Sequence, residues 1–155
     1  MKKALFVFGI CMSAALAGMA QKKVEYTPGG ELGIGARFGG ATGLTIKKYH
    51  RSNMSAFEFN LAYSFDDEVD GFTTNIFWER LAPIGFKDRL CAQFGFGVPL
   101  VFGDEFKTGV AGTIGFDWRL ARRIGIQLDW SPAWLFINDN HFSSFDAAFS
   151  VRWLF

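Results

Sequence analysis

The chain closes on FDAAFSVRWLF, residues 145–155. Its odd positions are Phe145, Ala147, Phe149, Val151, Trp153 and Phe155, and its even positions are Asp146, Ala148, Ser150, Arg152 and Leu154. Alternation with a period of two predicts a β-strand with one apolar and one mostly polar face. What the apolar face touches, a protein core or lipid, decides the fold.

Seven earlier segments carry the same alternation. They are 31–38, 41–49, 55–65, 72–80, 89–98, 109–120 and 123–131. The third is the plainest: Phe57, Phe59, Leu61, Tyr63 and Phe65 against Ala56, Glu58, Asn60, Ala62 and Ser64. The pieces between them, such as FGGA, DDEVDG and NDNHFS, hold the Gly, Asp and Asn that turns need. Eight strands with short connections predict an all-β, antiparallel up-and-down meander. Pro99 and Pro132 fall near the far ends of the fifth and seventh strands. Proline donates no ladder hydrogen bond, so a rim or bulge is predicted for both. Alternation also continues through Leu135 and Phe136, beyond Pro132.

The N-terminus, MKKALFVFGICMSAALAGMAQ, pairs Lys2 and Lys3 with an apolar stretch and small residues up to Ala20. This pattern predicts a cleaved signal peptide over 1–20 and a single domain over 21–155. Cleavage leaves Cys91 as the one cysteine, so no intrachain disulfide forms. No later stretch is long and apolar enough for a membrane helix. A closed barrel of strands remains a way to cross a bilayer.

Side-chain size points the apolar face outward. The polar faces mix charges with Gly33, Gly35, Gly43, Gly95, Gly97, Ala56, Ala62 and Ala148. Small residues suit the interior of an eight-stranded barrel, which is just wide enough for side chains. Bulky Phe, Trp, Leu and Ile suit lipid, and strands of about 9–11 residues suit a membrane crossing. By parity the interior carries Glu31, Glu58, Glu79, Asp117, Asp129 and Asp146 against Arg37, Lys47, Arg89, Arg119, Arg123 and Arg152. Buried charges persist when paired, so a balanced set predicts a salt-bridged plug and disfavours a narrow channel. With the N-terminus in the periplasm, Trp78, Trp118, Trp153 and Phe155 fall at the inner boundary. Trp130 falls towards the outer one, with Trp134 beyond it. These are the expected interfacial aromatics. The outer loops would hold Asp66, Asp67, Glu68, Asp70, Asp104, Glu105 and Asp139, and the inner turns Arg51, Lys87 and Arg122.

The signal peptide, the eight alternating segments and the terminal Phe155 together resemble the small outer-membrane β-barrels of Gram-negative bacteria. The OmpX-like proteins and the OmpA transmembrane domain are the nearest types. The resemblance implies a transmembrane barrel in the bacterial outer membrane. It implies outer-membrane lipid and the barrel-insertion machinery as partners, with Val151, Trp153 and Phe155 as the insertion signal. A further envelope or extracellular protein partner would meet the outer loops.

Chemistry is sparse. His50 and His141 lie far apart, no metal-ligand cluster is visible, and no cofactor is expected. Cys91 points inward as a small filler. His141-Phe142-Ser143 places a base and a hydroxyl two apart on one strand face. That pair is similar to the His-x-Ser of lipid A deacylase barrels, where Asn-Ala follows; here Ser144-Phe145 follows, and Asp146 lies on the opposite parity. The expectation is a barrel with a closed polar core, a structural or surface-interaction role and no catalysis. A lipid hydrolase using His141 and Ser143, and a narrow channel, are the alternatives.

Overall fold

The structure is a computed structural model that describes residues 30–51, 54–64, 71–84, 89–103, 105–137, 141–143 and 146–155. The signal peptide predicted over 1–20, Phe145, and the loop acids Asp66, Asp67, Glu68, Asp70, Asp104 and Asp139 lie outside them, as does Lys87.

The strands are β1 (Leu32–Gly39), β2 (Ala41–Tyr49), β3 (Ser55–Ser64), β4 (Gly71–Pro83), β5 (Leu90–Phe102), β6 (Phe106–Ala121), β7 (Ile124–Trp130), β8 (Ala133–Ile137), β9 (His141–Ser143) and β10 (Ala147–Leu154). Each pairs antiparallel with its neighbours, and the β5–β6 pairing closes the sheet on itself. β7 and β8 both pair with β6, so they are two lengths of one wall strand. β9 pairs with β8 and β10 with β7, so these two form the last wall strand. The result is an eight-stranded antiparallel barrel, with β10 joined to β1.

Both chain ends of the described barrel, Gly30 and Phe155, lie at one end, here the terminal end. The β1–β2 turn lies at the other, the distal end. Stepping across partners from Gly33, near the foot of β1, gives Lys47, Glu58, Phe77, Gly97, Ala111, Ala133 and Ser143. Gly33 itself opposes Leu154, whereas Ser143 lies beyond the head of β10. A path perpendicular to the strands thus climbs most of the wall, the stagger that closure of a small barrel requires.

The interior is narrow enough to dictate glycine. A side chain at Gly35 would collide with the Val151 carbonyl oxygen, and one at Gly97 with the Ile76 carbonyl oxygen and the Phe77 ring. Outward positions are large and exposed: Leu44 at 59%, Phe96 at 66%, Ile114 at 57%. Inward positions are polar and sealed: Arg37, Thr45, Lys47, Glu58, Glu79, Gln93, Asp117, Gln127 and Arg152 are all buried. The pleat sends alternate residues to opposite faces, so the sequence alternation maps directly onto this inversion.

Three placements differ from the sequence expectation. Pro99 is not at a rim: β5 runs on to Phe102, and Pro99 faces the interior opposite Asn75. The β5–β6 ladder passes from Gly97↔Ala111 to Leu100↔Thr108, skipping it, and the Thr108 hydroxyl donates to the Pro99 carbonyl at 2.8 Å. Trp130 is not at the distal boundary, because β8 extends the wall past it. It opposes Ile114, midway along β6. Trp78 also stands part-way up, opposite Phe96 at the middle of β5. Trp118 and Trp153 lie near the terminal end, and Trp134, Phe102, Phe106 and Phe142 near the distal rim.

Candidate functional site

The barrel interior has three levels. At the terminal end an apolar plug joins Tyr49, Ala56, Leu81, Cys91 and Leu154, with Met54 packed against it. Glu31 and Arg119 pair at this mouth through two hydrogen bonds, 2.9 and 3.1 Å. The Arg119 guanidinium stacks over the Tyr49 ring at 5.4 Å, and Lys47 lies 5.5 Å from the same ring.

Above the plug sits a charge network centred on Lys47. Its ammonium is 2.6 Å from Glu79, 3.1 Å from Asp117 and 3.4 Å from Glu58. It also donates to the amide oxygens of Gln93 and Gln127, both at 2.8 Å. Tyr49 donates its hydroxyl proton to Asp117 at 2.7 Å. Arg152 on β10 donates to Glu58 at 2.7 Å, to Gln127 at 2.6 Å and to Thr45 at 3.0 Å. Gln127 passes its own amide hydrogens to Glu58 at 3.0 Å and Asp129 at 2.9 Å. Arg37 on β1 then clamps both oxygens of Asp129, at 3.0 and 2.7 Å, and reaches Asp146 at 3.2 Å.

Buried ions are tolerable only with such partners, because desolvating each costs several kcal/mol. Glu58 holds Lys47, Arg152, Gln127 and Thr45 together, so the network is one connected unit. Every wall strand contributes: β1 Arg37, β2 Lys47, β3 Glu58, β4 Glu79, β5 Gln93, β6 Asp117, β7 Gln127 and β10 Arg152.

Of the twelve interior charges expected from parity, ten lie within the barrel or at its mouths. Arg89 and Arg123 instead lie outside the strands. Both occupy turns at the terminal end, and Arg123 is exposed. Parity fails there because a reversing chain no longer alternates its faces. Their backbone carbonyls accept from the Arg119 and Leu154 amides at 2.9 Å. The cations carried on the strands themselves are Arg37, Lys47, Arg119 and Arg152. Sequence reasoning missed the neutral members Tyr49, Gln93, Gln127 and Thr45. Their inward parity is readable in the sequence, but they carry no charge to single them out.

The third level, in the distal half, is different. A cavity of about 60 Å³ opens there, lined by small, hydroxyl and apolar side chains and the Asn75 amide, with Asp146 as its one ionisable group. Ser143 lines this cavity and pairs with Ala133, while His141 pairs with Leu135. Among the described residues no group of His, Cys, Asp and Glu could hold a metal ion. Val151 and Trp153 face outward on β10, and Phe155, just past its end, is exposed. No family model matches this chain, and no curated protein or solved structure matches it.

Proposed function

We propose that this chain is an exported outer-membrane β-barrel of the OmpX-like kind, a structural or surface-interacting component with a closed core and no catalysis. The observation that carries this reading is the inversion of the wall. Aromatic and aliphatic side chains cover the outside, while the charges are packed within. A soluble barrel exposing so continuous an apolar surface would aggregate, whereas lipid solvates it. The predicted signal peptide and the outward row Val151, Trp153 and Phe155 support delivery to the outer membrane and handling by its insertion machinery. Outer-membrane lipid is then the immediate partner, and an envelope or extracellular protein would meet the distal loops.

The Lys47 network argues against a channel. It spans the bore with paired side chains rather than leaving a lined, water-filled path. Steady single-channel conductance from the purified protein would overturn the closed core. Fractionation with gel mobility tests the whole reading. The expected result is an outer-membrane protein whose unboiled band runs faster than the boiled one. A soluble periplasmic protein without that shift would overturn it.

A further inference from the structure

The closed core makes no use of the distal cavity. We propose that this cavity binds a small primary alkylammonium ion, with Asp146 as its counter-charge.

Arg37 faces two carboxylates, and it is committed to Asp129, whose oxygens it holds at 3.0 and 2.7 Å. Asp129 also accepts from Gln127 and Ser131, so its oxygens are fully used. Asp146 receives a single contact from Arg37, at 3.2 Å through Oδ2. Its Oδ1 is buried and has no hydrogen-bond partner among the described residues. One guanidinium thus serves two carboxylates, and the undercompensated one lines the cavity. A half-buried carboxylate with one oxygen sealed and unpaired favours a cation beside it.

The lining then selects the kind of cation. Ser131 and Ser143 stand in the same wall as Asp146 and offer hydroxyl oxygens as acceptors. An ammonium group brings three donors to such a set. Phe77, Val101 and Leu135 give the rest of the cavity an apolar surface for an alkyl stem. A guanidinium is matched by a carboxylate with both oxygens open, and Arg37 already takes one. A calcium ion demands six or more oxygen ligands, and the lining holds one carboxylate. The volume of about 60 Å³ corresponds to about four to six waters, room for a head group and a stem of two or three carbons.

The test uses propylammonium and the full chain folded in non-ionic micelles, followed by the amide resonances of Ser131, Ala133 and Ser143. The expected result is a saturable shift with a dissociation constant of about 1 mM, the range open to so small a ligand. Propan-1-ol, equal in size and uncharged, binds about tenfold more weakly, and Asp146→Asn weakens propylammonium about tenfold. Ala133→Leu puts a larger side chain into the cavity lining, leaves Asp146 in the sequence, and removes saturation. That variant and the alcohol decide the matter if Asp146→Asn does not give a heat-shifted band. The proposal is overturned by the absence of a saturable shift, by equal binding of amine and alcohol, or by Ala133→Leu titrating like the parent chain.

Discussion

The two halves of the interior meet the same constraint in opposite ways. In the terminal half, long charged side chains cross the bore and meet: Lys47 reaches Glu79 and Asp117, and Arg152 reaches Glu58. In the distal half, Ala41, Ala111, Ala133, Ser131 and Ser143 stop short of the centre. Both halves are bounded by the same strands and the same outward apolar skin. What separates them is side-chain reach. A narrow barrel is sealed where its inward residues are long and oppositely charged, and it keeps room where they are short. The first arrangement makes each member indispensable to the others; the second leaves each nearly independent.

That contrast can be broken most forcefully at its densest point. Lys47→Met leaves Glu58, Glu79 and Asp117 buried around no ammonium. The expected cost is about 3–5 kcal/mol, measured as a lower urea midpoint of the refolded barrel or loss of the heat-shifted band. A shift of under half that size would mean water reaches the network. The next effect is on the skin. Phe96 is 66% exposed and packs beside the Trp78 ring, centroids 5.5 Å apart, part-way up the wall. In lipid, Phe96→Arg is expected to cost about 2–4 kcal/mol. The same substitution on a water-facing surface would cost almost nothing, so vesicle-folded protein read by urea titration separates the two. The smallest effect belongs to the distal half. Ala133→Leu enters existing space, and its stability should change by no more than about 0.5 kcal/mol. A large loss there would show the distal half to be as tightly constrained as the network.

The wall was readable from sequence because one rule governs it. The pleat turns every second residue inward, so Phe57, Phe59 and Leu61 announce the outside, and Glu58 and Asn60 the inside, without knowledge of any partner. The rule loses force where the strand ends. Arg89 and Arg123 stand in turns, where parity no longer says which way a side chain faces. β6 begins at Phe106, three residues before the predicted segment 109–120, because Gly109 and Gly112 interrupt the apolar pattern. Pro99 reads as a stop, yet the neighbouring strand β4 carries the ladder on its other side and β5 continues. Partners across the bore were hidden for a different reason. Arg37 and Asp129 are 92 positions apart, and only the stagger of the closed sheet brings them level. The cavity was hidden because no single segment contains it; it exists only where short residues from several strands coincide.

The stagger also bears on how the molecule is assembled. Arg37 finds Asp129 and Asp146 only when the first strand meets the last two wall strands, and Glu58 gains Arg152 only when β10 is in place. An unfinished sheet therefore carries bare ions on the very surface that must become its interior. Contacts so distant in sequence form late and slowly. The final seam supplies the neutralising partners, so an incomplete barrel is penalised until the circle is whole. The buried charges are therefore fully partnered only in a barrel whose first and last strands have met in register.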